Sequence, residues 1–340
     1  MPRRLFLAAL VLALAVGVAF EVTTRRPSEA AAPTAERLSR APENRAAPRG
    51  ESGEAPASGE VATPPPTTVP APPASDRNAG IDLAAVPVAA TDPAALAEQI
   101  TVAERAIRAP SPAAPELAYF GHLQQVAYRA LADRPEWDAA VSTALPEDLR
   151  PVMAANVAAG RELSRPHTRP QTKLPAWRIV DPLPAAELRA LYEKGEATFG
   201  VPWEYLAAVN LTETRMGRIR GTSSAGAQGP MQFIPSTWAR YGEGDINDPH
   251  DAIMAAARYL AANGGGSGNL ANALFRYNPA QWYVNAVTAY AEQMVADERA
   301  YLGYHTWQVY YATSLGDVLL PVGYEATERR EVTPADLGPG

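Results

Sequence analysis

The chain has 340 residues, of which 47% are hydrophobic, and a formal net charge of −7. Its length allows two or three domains. It has no cysteine, only four histidines and no long basic run. These counts exclude disulfides and thiol chemistry, and they disfavour a metal centre or a nucleic-acid partner. We expect no cofactor and no metal.

The first element is an apolar segment behind a positive N-terminus. Met1-Pro2-Arg3-Arg4 precedes sixteen residues, 5–20, that are all apolar or glycine. As a helix this segment would span about 24 Å, which is less than the roughly 30 Å of a bilayer core. The pattern predicts that residues 1–22 are a signal peptide or a membrane anchor, both of which imply export to the cell envelope. The membrane would be contacted only through this segment.

A proline- and alanine-rich stretch follows the apolar segment. Eleven prolines fall between Pro27 and Gly80, and no aromatic residue occurs between Phe20 and Tyr119. Such a composition buries too little apolar surface to offset the entropy of an ordered backbone. Residues 23–80 are therefore predicted to be a disordered linker that tethers a folded part.

Residues 81–175 have the periodicity of a helical subdomain. Asp92 and Pro93 form an N-cap and a first-turn proline. The apolar residues that share one face of the helix after this cap are Leu96, Ile100, Ala103 and Ile107. Two further helices are expected around residues 119–130 and 149–163. We interpret this part as a supporting bundle, with binding to the cell wall as the alternative.

The next part, residues 182–300, is also predicted to be helical. Helices are expected at 185–199, 203–211, 269–277 and 280–300, with another behind the Asp248-Pro249 cap. Only the glycine-rich stretch Gly221–Gly229 suggests a turn or small hairpin. The fold class is therefore all-α. We expect the first part of the extension 301–340 to pack on this body and the last ten or so residues to fray.

Glu213 is the residue that most clearly suggests chemistry. It ends an apolar helix, where the negative end of the helix dipole raises the pKa of a carboxyl group. Met216, Met231 and Phe233 are close in sequence and would remove water from it. A neutral glutamic acid in an apolar cleft is suited to general acid catalysis.

Four motif blocks around Glu213 resemble a known family. They are Glu213-Thr214-Arg215-Met216-Gly217, the glycine-rich string 223–232, Pro235, and Tyr277-Asn278. In order and spacing they are similar to the soluble lytic murein transglycosylases, which have a lysozyme-like fold. The resemblance covers residues 182–300, about a third of the chain. Thr214 stands where the family often has serine, and Pro230 stands where leucine is common.

The resemblance implies roles for individual residues. Glu213 would be the single catalytic acid and base, Tyr277 would orient it, and Asn278 would support the same wall of the cleft. Ser223 and Gln232 would bind the sugar, while Met231, Ile234 and Tyr283 would shape the subsites. Each role has a structural alternative, since Ser223 could cap a turn, Tyr277 could pack in the core and Asn278 could end a helix.

The expected substrate is the peptidoglycan glycan strand, cleaved with formation of a 1,6-anhydro ring. This reaction needs one carboxylate, and Glu204, nine residues earlier, faces another side of the same helix. A hydrolase like goose-type lysozyme is an alternative, with Glu243 or Asp245 activating water. A non-catalytic scaffold that binds the wall is another.

Overall fold

The computed structural model describes residues 80–166 and 170–337. The predicted signal peptide or anchor lies outside the described residues, as does the predicted linker up to residue 79. None of the helices in the described ranges is both long and apolar enough to span a bilayer.

Four helices form the first part of the described chain: α1 Pro93–Ile107, α2 Ala114–Ala132, α3 Asp138–Ala144 and α4 Arg150–Ser164. The Asp92 carboxylate accepts hydrogen bonds from the backbone of Ala94 and Ala95, which confirms the predicted N-cap. The face of α1 that the periodicity identified is buried against α2 and its neighbours. Local sequence signals therefore set where α1 begins and which side it buries.

Seven further helices follow: α5 Ala185–Phe199, α6 Trp203–Thr214, α7 Pro235–Tyr241, α8 Pro249–Ala262, α9 Leu270–Tyr277, α10 Gln281–Ala296 and α11 Ala300–Thr306. Gly200 ends α5 with a left-handed φ of 72°. The predicted helix 280–300 is interrupted at Asp297, whose carboxylate accepts a hydrogen bond from the backbone N–H of Arg299. Such a local bond competes with helix continuation.

Helix α6 lies at the centre of the molecule. Its residues Leu206, Ala207, Ala208, Val209 and Leu211 are fully buried, so apolar side chains cover every side of it. It packs between α5 and α10, and α10 packs in turn against α4. One hydrophobic core thus includes residues from both predicted parts, 81–175 and 182–300. The boundary between these parts remains a prediction.

The mostly helical fold class is confirmed, and three two-stranded antiparallel sheets accompany the helices. They pair β1 Lys173–Leu174 with β6 Arg330–Glu331, β2 Arg178–Ile179 with β3 Ile219–Arg220, and β4 Val309–Thr313 with β5 Gly316–Leu320. A second core cluster fills the space between them; it consists of Leu174, Trp177, Ile179, Ile219, Val309, Tyr311, Val318 and Leu320.

The first part of the C-terminal extension packs on the body as predicted, but the extension also contains strands that were not predicted. Beyond α11 it forms a β-hairpin in which Val309 and Tyr311 of β4 and Val318 and Leu320 of β5 are buried. Val332 and Leu337 pack against the second cluster. Part of the segment that was expected to fray is therefore attached to the body. The strands are held by pairing and burial that a helical interpretation of the chain could not anticipate.

The second cluster provides a test of this C-terminal arrangement. Leu174 is fully buried in it, so Leu174→Ala should lower the free energy of unfolding of the full chain by about 2–5 kcal/mol. The exposed neighbour Lys173 is the matched control, and Lys173→Ala should change the free energy of unfolding by less than about 0.5 kcal/mol. Urea unfolding measures both. Equal effects of the two variants would contradict the packing of residues 309–337 on β1.

Candidate active site

Glu213 lies in the last turn of α6, and its side chain is buried, with the residue 4% exposed. The Tyr283 hydroxyl, from the first turn of α10, donates a hydrogen bond of 2.7 Å to Glu213 Oε1. Glu213 Oε2 is buried and has no hydrogen-bond partner among the described residues. One oxygen is therefore held in place by the protein, and the other remains available to a ligand.

The environment of Glu213 makes its carboxyl group a weak acid. Burial raises the pKa of Glu213 to about 8, against the smaller opposing effect of the hydrogen bond from Tyr283. In the described part of the chain, no other carboxylate contributes to this shift through its charge. At neutral pH the group is mostly protonated and can act as a proton donor.

The tyrosine that contacts Glu213 is Tyr283, not Tyr277 as the sequence predicted. The Tyr277 hydroxyl donates instead to the backbone carbonyl of Met231, at 2.5 Å. The two rings lie parallel, with 6.5 Å between their centroids. Tyr277 therefore supports the fully buried Met231 and the ring of Tyr283, and Tyr283 takes the orienting position.

A sequence signal for Tyr283 existed. Tyr283, Val287 and Tyr290 recur at helical spacing on the buried face of α10. A buried tyrosine hydroxyl needs a hydrogen-bond partner, and Glu213 is the only catalytic candidate on the helix packed opposite. Periodicity therefore indicates that Tyr283 is buried, and the packing of α10 on α6 is also needed to make Glu213 its partner.

The chain turns sharply where α6 ends. Arg215, Met216 and Gly217 follow one another with left-handed φ values of 54°, 60° and 84°. Such values cost energy for residues other than glycine, so they indicate a position fixed by its surroundings. The Thr214 hydroxyl accepts a hydrogen bond from the Gly217 N–H, which stabilises this turn.

Two buried side chains of α6 tie this turn to the glycine-rich loop. Asn210 Nδ2 and the Thr214 hydroxyl both donate to the carbonyl of Pro230, at 2.8 and 2.6 Å. These bonds use a carbonyl oxygen, so a proline, which lacks only the N–H, satisfies them. The two departures from the family pattern, Thr214 and Pro230, are thus direct partners.

The predicted hairpin is a tight loop closed by Gln228 and Phe233, whose backbones exchange two hydrogen bonds of 2.9 Å. Gly229 has a φ of 73°, and a Cβ atom there would lie 1.9 Å from the Ile246 carbonyl oxygen. Only glycine fits this position, because the loop passes against the segment before α8.

Ser223 and Gln232 both stabilise this loop. The Ser223 hydroxyl oxygen accepts hydrogen bonds from the N–H groups of Ala225 and Ala227, as in the turn-capping alternative. Gln232, with a φ of 51°, donates from Nε2 to the Gly229 carbonyl at 3.0 Å. A serine hydroxyl that only accepts still has its proton to donate. Contacts of either residue with a sugar remain predictions.

Asn278 and Ile234 are the remaining predicted site residues. Asn278 follows α9 and is buried, and its Nδ2 lacks a hydrogen-bond partner among the described residues. A buried amide without a partner is costly, so this nitrogen is a candidate donor to a bound ligand. Ile234 is half-buried at the N-cap of α7. Its predicted place in a subsite is not tested by these contacts.

One group of side chains has ligand atoms close enough for a metal: those of Asp248, His250 and Asp251 lie within 4.8 Å of one another. Asp248 caps α8, and Asp251 accepts from the Asp245 N–H. Lys194 Nζ lies 2.9 Å from His250 Nε2. These contacts explain the cluster as the N-terminal cap of α8. The Lys194 ammonium group also places a positive charge beside it, which disfavours a bound cation.

A buried carboxyl group at the end of a central helix, with a glycine-rich loop bonded to the same helix, is the main feature of this site. Residues 190–297 match the family model described as Transglycosylase SLT domain. A 75-residue segment is 32% identical to membrane-bound lytic murein transglycosylase F of Thiobacillus denitrificans. The family-model match confirms, for residues 190–297, the resemblance found in the sequence.

The relative is matched over a small part of both proteins. The segment covers 22% of this chain and 16% of that relative. No solved structure gives a significant match. The comparisons thus support the family over part of the chain only.

The raised pKa of Glu213 predicts how stability depends on pH. Below about pH 4.5 the carboxyl is neutral in the folded and unfolded states, and between there and about pH 8 only the unfolded state ionises. Wild type therefore loses stability over this range relative to Glu213→Gln, by on the order of 4 kcal/mol. Urea unfolding at pH 5 and pH 8 measures the difference. Glu187→Gln, at an exposed site on α5, is the control, and a pH-independent difference for Glu213→Gln would contradict the prediction.

The hydrogen bond from Tyr283 stabilises the ionised form of Glu213. Tyr283→Phe should therefore raise the pKa of Glu213 by about 1–2 units above its wild-type value. Tyr277→Phe, which removes the bond to Met231, should leave that pKa essentially unchanged. Carbon NMR titration of the glutamate side chains, with Glu213→Gln for assignment, measures both. A larger shift in Tyr277→Phe would instead restore the role predicted from the sequence.

Proposed function

We propose that this protein is an exported lytic transglycosylase. It cleaves the β-1,4 bond between N-acetylmuramic acid and N-acetylglucosamine in peptidoglycan strands and forms 1,6-anhydro-N-acetylmuramic acid. The observation that carries the proposal is the buried, protonated Glu213, with one oxygen bound by Tyr283 and the other free. The match of residues 190–297 to the transglycosylase family model supports the same chemistry.

In the first step Glu213 acts as an acid. Its Oε2 donates a proton to the glycosidic oxygen, the bond from C1 to that oxygen breaks, and N-acetylglucosamine leaves with a hydroxyl group. The substrate's own N-acetyl group stabilises the positive charge at C1. The Glu213 carboxylate that results is stabilised by the hydrogen bond from Tyr283.

In the second step Glu213 acts as a base. It accepts the proton of the C6 hydroxyl, and O6 forms a bond to C1, which closes the anhydro ring and regenerates the acid. No water is consumed, so no carboxylate is needed to activate one. Among residues 80–166 and 170–337 the hydrogen-bond partner of the Glu213 carboxyl is the Tyr283 hydroxyl and not a second carboxylate, which suits a reaction that needs one acid.

The surrounding residues would bind and position the strand. Asn278 Nδ2 is a buried donor without a partner in the described ranges, which suits a sugar carbonyl or hydroxyl. Ser223 and Gln232 stand in the glycine-rich loop, Tyr277 supports this loop through Met231, and Ile234 would shape a subsite. The helices of residues 81–175 act as a scaffold in this proposal, because α4 packs on α10, which carries Tyr283.

The location follows from the substrate. Peptidoglycan lies outside the cytoplasmic membrane, and the apolar segment 5–20 has the layout of an export signal. The relative from Thiobacillus denitrificans is named as membrane-bound and as acting on murein. We propose that residues 1–22 export the chain or anchor it to the membrane.

Product analysis tests the reaction. Wild type acting on purified peptidoglycan should release fragments whose muramic ends lack the mass of one water, as mass spectrometry detects. Glu213→Gln should lower the rate by at least about 100-fold, because the proton donor is lost. Glu204→Gln, on the first turn of the same helix, is the matched control and should retain activity.

Two other outcomes would replace this proposal. Ordinary reducing ends from wild type would identify a hydrolase that uses Glu213 with a water-activating group such as Glu243 or Asp245. Glu243 is exposed and paired with Arg258 at 3.1 Å, an arrangement suited to the surface. Binding of peptidoglycan by wild type without any cleavage would identify a scaffold.

A further inference from the structure

The mechanism leaves one buried charge of the central motif unused, the guanidinium of Arg215. Arg215 is 5% exposed and leaves the end of α6 in the left-handed conformation. Its Nη1 donates to the Leu211 carbonyl at 2.9 Å, while its Nε is buried without a hydrogen-bond partner among the described residues. Burial lowers the pKa of Arg215 to about 10, so the group is still charged at neutral pH.

This charge has no counter-charge within ion-pair distance in the described part of the chain. The ion pairs found there include the neighbouring Arg129, which binds the Asp317 carboxylate at 2.5 Å, but none with Arg215. A buried ion that lacks a partner is strongly unfavourable, since it gives up hydration without a compensating attraction. The fold therefore requires something else to solvate this guanidinium.

The side chain borders a small cavity between α2, α4 and α10. The cavity has a volume of about 30 Å³, and its polar and aromatic lining includes Arg129, Asn156, Ser164, Arg215, Tyr290 and Trp307. A single water needs roughly 10–15 Å³, so the space accepts one small ion or about two waters. The lining contains two guanidinium groups and no carboxylate.

We propose that this cavity binds one small monovalent anion of halide size, which serves as the counter-ion of Arg215. Two cationic groups with hydroxyl and amide groups around a space of about 30 Å³ suit an ion of this size and charge. The site joins helices of residues 93–164 to the end of α6, so the anion stabilises their packing. It is separate from the sugar-cleaving chemistry proposed for Glu213.

Thermal unfolding tests the site with chloride itself as the probe. Sodium chloride is varied between 0 and 500 mM, and sodium gluconate holds the ionic strength constant. If the dissociation constant for chloride is about a fifth of the highest concentration, the Tm of the full chain should rise by roughly 2–4 °C. Arg215→Met should abolish this rise. Arg178→Met, which removes an exposed arginine from β2, should retain it and is the matched control.

Crystals of wild type soaked in bromide provide a second measurement that does not depend on the folding of a variant. An anomalous peak in the cavity beside the Arg215 guanidinium is expected. A cavity that holds water only, with no anomalous peak at Arg215, would overturn the proposal. A chloride effect equal in wild type and Arg215→Met would overturn it as well.

Discussion

The hydrogen bond between Tyr283 and Glu213, formed out of contact with water, is the interaction on which the site depends. Burial alone favours the neutral carboxyl and disfavours the ionised form that the proposed reaction needs in its second step. The tyrosine hydroxyl moderates that preference and fixes one oxygen. The rest of the architecture can be understood as holding these two side chains together.

That requirement explains why α6 is enclosed on every side. A carboxyl group at the end of a half-exposed helix would be hydrated, and its pKa would return towards the ordinary value. Helices α5 and α10 cover α6, and α4 keeps α10 in place from behind. The residues before 175 thus affect the acidity of Glu213 without contacting it.

Helix limits followed from local sequence, whereas side-chain pairing did not. Helix caps act on the backbone within a few residues. The structure has N-caps at Asp92 and Asp248 and a C-cap at Gly200, as the local sequence predicts. Choosing between Tyr277 and Tyr283 required knowing how two helices pack, which no local pattern contains. The β4–β5 hairpin was missed for the same reason, since its burial depends on β1, β2 and β3, which lie far earlier in the chain.

The second core cluster has a consequence for how this protein can be divided. Ile219, just before the glycine-rich loop, shares its apolar surroundings with Val309 and Leu320 near the other end of the chain. A fragment trimmed to the family match at 190–297 would expose that isoleucine and separate strand β3 from β2. The region that matches the family model is therefore smaller than the unit that these contacts hold together.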